Sequence, residues 1–179
     1  MKLTSAALAA IFATSTAALA VPVNDEIDNA ILLTFPDSVT QSVAGATSSN
    51  PPNATGSIEN DVWFTFFGTG GNVDLSTSNP ATDYDTQLFL WSGYDGANIS
   101  SLTEIGYDDD SGTGLSSFLS FASALGTQYW VSIDGFAGDS GTFELTATTD
   151  APAVPLPAAG VLLAGALGGL TALRRRKTA

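Results

Sequence analysis

The segment 128–133 reads Gln128-Tyr129-Trp130-Val131-Ser132-Ile133, a run rich in aromatic and β-branched residues. Successive side chains of a strand point to opposite faces, so Tyr129, Val131 and Ile133 share one face. The segment 142–146 alternates in the same way and places Phe143 and Leu145 on its inner face. This period of two predicts β-strands, and no window of the chain has the sustained spacing of an amphipathic helix.

Similar short runs recur along the chain, separated by Gly, Asn, Asp, Ser and Pro. They predict strands near Ala30–Phe35, Asp61–Phe67, Asn72–Ser78, Thr86–Trp91, Leu102–Tyr107, Leu115–Ala122, Thr127–Asp134 and Gly141–Thr148, with a weaker strand at Val39–Ala44. Eight or nine short strands joined by turns are typical of an all-β fold, an antiparallel β-sandwich or jelly roll. The Ser-, Asn- and Pro-rich segment 45–58 is predicted to be a long exposed loop.

Charge divides the chain into an acidic body and two basic ends. All 18 acidic residues lie between Asp25 and Asp150, whereas the five basic residues lie at position 2 and at positions 174–177. A body without any basic residue repels phosphates, which excludes nucleic acid as a partner. The chain also has no His and no Cys, which excludes Ser-His and Cys-His nucleophiles and thiol chemistry.

The first 20 residues have the three parts of a secretory signal peptide. Lys2 precedes an apolar, Ala-rich run from Ala6 to Leu19, and Ala18-Leu19-Ala20 has the small-x-small pattern of a cleavage site. The run is short for a membrane span and contains several Ser and Thr residues, so we expect cleavage by signal peptidase rather than anchoring. Export is therefore expected, with a folded domain over residues 21–150.

Residues 151–179 combine a linker, a proline motif, an apolar stretch and a basic end. The motif Val154-Pro155-Leu156-Pro157-Ala158 precedes an uncharged stretch that ends at Leu173. A helix over residues 158–173 would be about 24 Å long, against a bilayer core of roughly 30 Å. Such a helix is a marginal span that snorkelling Arg side chains would extend. The basic end at 174–177 would stay on the cytoplasmic side and leave the acidic body outside.

This order of motif, helix and basic cluster resembles a PEP-CTERM sorting tail, and Val154–Ala158 resembles its VPLPA variant. Leu156 stands where the common form of the motif has Glu. The resemblance implies processing by an exosortase-type membrane protease. It also implies a precursor anchored in the inner membrane of a Gram-negative bacterium. The mature protein would then lie in the cell envelope, at the cell surface or in the extracellular matrix, often beside exopolysaccharide.

Four segments of the body resemble the strands and turns of bacterial pre-peptidase C-terminal (PPC-like) domains. They are Asp61-Val62-Trp63-Phe64-Thr65-Phe66, Asp83-Tyr84-Asp85-Thr86-Gln87-Leu88, Tyr107-Asp108-Asp109-Asp110-Ser111-Gly112 and Tyr129-Trp130-Val131-Ser132-Ile133-Asp134-Gly135. Their order along the chain agrees with that of the family. The resemblance implies a β-sandwich accessory module without catalytic residues, of the kind found in secreted and surface proteins.

Five acidic residues form a candidate calcium site: Asp83, Asp85, Asp108, Asp109 and Asp110. Calcium prefers six to eight oxygen ligands, many of them carboxylates. If the segment 83–86 packs beside the 108–112 loop, four carboxylates converge, and a cation would relieve their repulsion. Full solvation of the acids in exposed turns is the alternative. Two such acids can also form a glycosidase pair, but no catalytic residue is assigned.

Two aromatic residues at the end of a predicted strand, Trp91 and Tyr94, are candidates for an exposed ligand-binding face. Aromatic side chains in strands also fill cores, which is the alternative for both. Two functions remain open at this point. One is a non-enzymatic envelope or matrix protein with calcium as a stabilising ion, and the other is a surface module that binds a glycan or a protein.

Overall fold

The computed structural model describes residues 20–150. The predicted sorting motif, membrane helix and basic end lie outside the described residues, as does the predicted signal peptide apart from Ala20. Within residues 20–150, no helix has the length and apolar character needed to cross a bilayer.

The prediction of an all-β fold is confirmed, and nine strands form at the expected places. The strands are β1 (Ile31–Leu32), β2 (Asp37–Ser42), β3 (Val62–Phe67), β4 (Asn72–Ser76), β5 (Thr86–Ser92), β6 (Thr103–Asp108), β7 (Phe118–Ala122), β8 (Gln128–Gly135) and β9 (Thr142–Thr149). Three short 3-10 turns, at Ile27–Asn29, Ile99–Ser101 and Phe136–Gly138, connect them. The first strand has two residues where the sequence predicted six.

The strands form two sheets, a five-stranded sheet in the order β1-β3-β8-β5-β6 and a four-stranded sheet in the order β2-β9-β4-β7. Within residues 20–150, the predicted antiparallel arrangement holds for every strand pair except one, because β1 pairs parallel with β3. Between these two strands the chain crosses to the other sheet as β2. When the chain returns to the first sheet as β3, it runs in the same direction as β1. A crossover of this kind is what two parallel neighbouring strands require.

The main core lies between the sheets and is built from every second residue of the facing strands. Phe64 of β3 meets Phe143 of β9 across the core, with ring centroids 6.1 Å apart and planes at 86°. Val131 and Ile133 of β8 are fully buried, as the alternation of 128–133 predicts. Edge-to-face aromatic packing of this kind adds to the burial of apolar area in holding the two sheets together.

The five-stranded sheet is apolar on its outer face as well. Trp63, Phe89, Trp91 and Trp130 form a second core there, packed against Ala54 and Ile58 among other residues. The segment 45–58 was predicted to be an exposed loop, but part of it covers this outer face. Its polar groups also bind the sheet, since the Trp63 Nε1–H donates to the Ser49 hydroxyl at 2.8 Å.

Candidate functional site

Three of the predicted calcium ligands come together at one end of the five-stranded sheet. Asp85, Asp109 and Asp110 each offer a carboxylate oxygen, and these oxygens lie within 4.8 Å of one another. Asp85 precedes β5, and the other two follow β6. The antiparallel pairing of β5 with β6, which sets Leu88 opposite Asp108, brings the start of one strand beside the end of the other.

Buried oxygens without hydrogen-bond donors surround this acidic cluster. Oδ1 of Asp85 and Oδ1 of Asp109 are both buried and have no partner, and Oε1 of Gln87 shares this state. Gln87 is 2% exposed, and its Nε2 donates to the Tyr107 hydroxyl at 2.7 Å. It lies two residues after Asp85 in the chain, and the next residue, Leu88, is paired with Asp108. Each buried oxygen without a donor costs about 1–3 kcal/mol.

The electrostatics of the cluster penalise its charged state. Burial raises the pKa of Asp85, and the carboxylates of Asp109, Asp110 and Asp139 raise it further. Burial also raises the pKa of Asp109, followed by the charges of Asp110 and Asp108, while Tyr107 and Gln87 oppose the rise. Because residues 20–150 contain no Lys, Arg or His, no side chain there neutralises the cluster. The donor set of carboxylate and amide oxygens is one that calcium accepts.

The other two predicted ligands, Asp83 and Asp108, lie outside this group of three, so the structure does not bring all five carboxylates together. Oδ1 of Asp83 accepts a hydrogen bond from the backbone N–H of Thr142 at 2.7 Å, beside the four-stranded sheet. Asp83 and Asp85 both lie on the outer side of the segment that carries the buried Tyr84, but Asp83 is held by Thr142 and does not join the other three carboxylates. Oδ2 of Asp108 instead accepts from the N–H groups of Ser111 and Phe118, at 3.0 and 2.8 Å.

Asp139 is a neighbour of the cluster that the sequence did not indicate. Its Oδ2 accepts a hydrogen bond from the backbone N–H of Asp85 at 3.2 Å. The turn after β8 brings it there, since the Phe136 N–H donates to the Asp85 carbonyl at 3.0 Å. Asp139 lies 54 residues from Asp85 in the sequence, within a turn. No pattern in the sequence therefore indicates that the two residues are neighbours.

Trp91, one of the two predicted ligand-binding aromatics, is fully buried, and this prediction is wrong. Its Nε1–H donates to the Ser132 hydroxyl at 3.0 Å, and its ring stacks on Phe89 with centroids 5.9 Å apart. The side chain lies on the outer face of β5, where the covering segment closes over it. Tyr94, which follows the turn at Gly93, is half-buried beside a surface groove.

The groove has a volume of about 480 Å³ and lies beside β8 and the loop after β5. Its lining includes two aromatic rings, two carboxylates, an amide and a hydroxyl, from Tyr94, Trp130, Asp28, Asp95, Gln128 and Thr65. The rings of Tyr94 and Trp130 meet edge to face, with centroids 5.5 Å apart. The Tyr94 hydroxyl donates to Asp28, and this bond raises the pKa of Tyr94 to about 12.

The sequence favoured Trp91 and Tyr94 over Trp130 as ligand-binding aromatics, although the alternation of β8 placed Trp130 on the face opposite the core. Trp130 shares the outer face of β8 with Gln128, opposite the face of Tyr129 and Val131 that fills the core. Trp130 lines the groove, whereas Trp91 on the neighbouring strand is fully buried.

The fold resembles two solved structures at low sequence identity. The pre-peptidase C-terminal domain of a collagenase from Bacillus anthracis is similar with a TM-score of 0.44 and 17% identity, covering 66% of this chain and 94% of that one. PliG of Aeromonas hydrophila, a periplasmic inhibitor of g-type lysozyme, has a TM-score of 0.42 and 12% identity, covering 68% of this chain and 96% of that one. No protein-family model and no curated protein matches the chain.

Proposed function

We propose that this chain is a non-enzymatic protein of the cell envelope or extracellular matrix, whose acidic β-sandwich is stabilised by calcium at Asp85, Asp109 and Asp110. The observation that carries the calcium assignment is the set of buried oxygens without donors around these three carboxylates. A calcium ion would accept those oxygens as ligands and would neutralise the charges that burial penalises. Gln87 supplies the amide oxygen of the site.

The spacing of the carboxylates supports a metal site over a catalytic pair. Three carboxylates that each turn one oxygen to within 4.8 Å of the others suit a single cation, whereas a glycosidase needs two carboxyl groups that flank the scissile bond. Incubation of the protein with a panel of polysaccharides tests this assignment. No reducing ends should be released, and release that is lost in Asp85→Asn would contradict the non-enzymatic proposal.

Calcium is expected to raise the melting temperature of the protein by about 3–8 °C at 5 mM, relative to EGTA. Extracellular modules bind calcium with dissociation constants of roughly 10⁻⁴–10⁻³ M, so this concentration stabilises the folded state by about 1–2 kcal/mol. For a domain of this size, 1 kcal/mol corresponds to a few degrees. Differential scanning calorimetry at pH 7 measures the shift.

Two variants distinguish a specific site from general screening of the negative charge. In Asp109→Asn, the melting temperature in EGTA should rise because one repelling charge is gone, and the calcium shift should disappear. Glu26→Gln, an exposed acid outside the cluster, should keep the full calcium shift. Equal shifts with calcium and magnesium at the same ionic strength, or equal responses of the two variants, would contradict the proposed site.

The proposed location rests on the sequence of the two ends. Signal peptidase cleavage after Ala20 and exosortase-type processing near Val154–Ala158 would leave the acidic body outside the inner membrane, in the setting of an exopolysaccharide layer. Mass spectrometry of the mature protein from its native host tests this proposal, with a first residue near Val21 and loss of the basic end as the expected result. A product that keeps Lys2 and residues 174–177 would contradict it.

A second candidate function is a surface module that binds a glycan or a protein. The groove beside Tyr94 favours it, because aromatic rings, carboxylates and an amide converge there around an open volume of ligand size.

A further inference from the structure

The three tryptophans of the chain differ in how their indole N–H groups are satisfied. The N–H groups of Trp63 and Trp91 donate to serine hydroxyls at 2.8 and 3.0 Å. Trp130 is only 7% exposed, yet its N–H meets no acceptor anywhere in residues 20–150. Trp130 is one of the residues that line the groove. A donor that has no protein acceptor and belongs to a groove-lining residue is available to a ligand that supplies an acceptor.

The remaining groups of the groove restrict what that ligand can be. Asp28 and Asp95 are exposed carboxylates at its rim, and residues 20–150 provide no cation to balance them. Anionic ligands are therefore repelled. An amine alone supplies donors to the carboxylates but no acceptor for the Trp130 N–H. A hydroxyl group both donates and accepts hydrogen bonds. A polyhydroxylated ligand can therefore donate to the carboxylates of Asp28 and Asp95 and accept from the Trp130 N–H.

The ring of Tyr94 adds an apolar requirement. Its edge-to-face contact with Trp130 and the bond of its hydroxyl to Asp28 hold the ring in place at the groove. An aromatic side chain fixed in this way offers a flat apolar surface without further loss of rotamer freedom. A pyranose ring combines one apolar C–H face with hydroxyls around its edge, which matches both parts of the groove.

We infer that the groove between Tyr94 and Trp130 binds an uncharged pyranose residue of a polysaccharide. The sugar face packs on Tyr94, one ring hydroxyl accepts from the Trp130 N–H, and neighbouring hydroxyls donate to Asp28. Uronic acids and sulfated sugars are excluded by the two carboxylates. This inference rests on the second candidate function, the surface binding module, and is independent of calcium binding at the other site.

The test follows the three indole N–H signals of the ¹⁵N-labelled protein during titration with cellohexaose, mannohexaose and hexagalacturonate. At least one neutral hexasaccharide should shift the Trp130 signal and leave the Trp63 and Trp91 signals in place. Hexagalacturonate should shift none of them. Absence of a shift with both neutral sugars, or an equal shift with the uronate, would overturn the inference.

Variants separate direct contact from an effect on folding. Trp130→Phe keeps an aromatic ring and removes the N–H, so the affinity should fall about tenfold. Tyr94→Ala removes the half-exposed stacking ring and should cost a similar factor, with the melting temperature close to that of the parent. Phe136→Ala, which removes an aromatic that is 49% exposed elsewhere, should bind like the parent. Unchanged affinity in Tyr94→Ala would contradict the assigned stacking role.

One further titration distinguishes this inference from the binding-module function itself. A neutral decapeptide of Ser, Gly and Leu offers backbone donors and acceptors but no pyranose ring, and it should leave the Trp130 signal unchanged. A Trp130 shift with the peptide and none with the sugars would overturn the sugar assignment and keep the module function. The calcium-induced rise in melting temperature should be the same in Tyr94→Ala as in the parent.

Discussion

Replacement of Trp91 by Ala is expected to lower the free energy of unfolding by about 3–5 kcal/mol, as removal of a buried aromatic side chain usually does. Trp91 is fully buried, stacks on Phe89 and donates to the Ser132 hydroxyl. Its loss leaves a cavity in the core on the outer face of the five-stranded sheet and a serine hydroxyl without its donor. Urea denaturation at pH 7 in EGTA measures the change.

Tyr94→Ala serves as the matched control, because Tyr94 lies three residues further along the chain but is half-buried at the groove. Its free energy of unfolding should fall much less than that of Trp91→Ala. Sugar binding should respond in the opposite order, with Tyr94→Ala weakened and folded Trp91→Ala little affected. If Trp91→Ala instead keeps full stability and loses ligand binding, then Trp91 is a ligand contact and its buried position is wrong.

The second large effect is expected from pH, with the free energy of unfolding falling by about 3 kcal/mol between pH 4 and pH 7 in EGTA. Burial raises the pKa of Asp61 from 3.8 to about 6, against hydrogen bonds from Ser49 that lower it and the charge of Asp134 that raises it. Between pH 3.8 and pH 6, Asp61 is protonated in the folded state but ionised in the unfolded state. The resulting stability is fully present below pH 3.8 and is lost as the pH rises through 6.

Urea denaturation at half-unit steps of pH measures this dependence. Asp61→Asn cannot ionise, so most of the fall should disappear in this variant. Part of it should remain, because burial also raises the pKa values of Asp134, Asp85 and Asp109. Glu26→Gln, an exposed acid, should follow the parent curve. A stability that increases from pH 4 to pH 7 in EGTA, or an equal fall in Asp61→Asn, would contradict the proposed cause.

Calcium should change this pH dependence in a way that identifies the acidic cluster. The proposed calcium ion would bind ionised carboxylates, and the pKa values of Asp85 and Asp109 are raised, so its stabilising effect should fade as these two groups gain protons. The calcium-dependent part of the stability should therefore increase from pH 5 to pH 7, while the Asp61 contribution decreases. A difference between the calcium and EGTA curves that grows with pH, while the EGTA curve itself falls, separates the two groups in a single set of denaturation curves.

The positions of the strands follow from local alternation. Tyr129, Val131 and Ile133 could be assigned to one face because side chains of a strand alternate wherever the strand lies. Phe143 and Leu145 were assigned to the core on the same basis, and both are fully buried. The parallel pairing of β1 could not be predicted, because the direction of a neighbour depends on the route of the chain between the sheets.

The composition of the candidate sites depended more strongly than the strand positions on the route of the chain between the two sheets. Asp85, Asp109 and Asp110 could be nominated from sequence, but the separation of Asp83 from them depends on its long-range hydrogen bond with the Thr142 N–H. Gln87 and Asp139 join the cluster through strand register and a turn. Trp91 and Trp130 lie side by side on neighbouring strands, and the covering loops bury one and leave the other at a groove.

By itself, the sequence determined the all-β class, the places of the nine strands and the separation of an acidic body from basic ends. These properties depend on residue type and on periods of a few residues, which any segment carries with it. The tertiary structure decided which carboxylates converge, which oxygens lack donors and which aromatic ring stays accessible. Those properties arise between residues far apart in the chain, where strand register and loop paths set the distances.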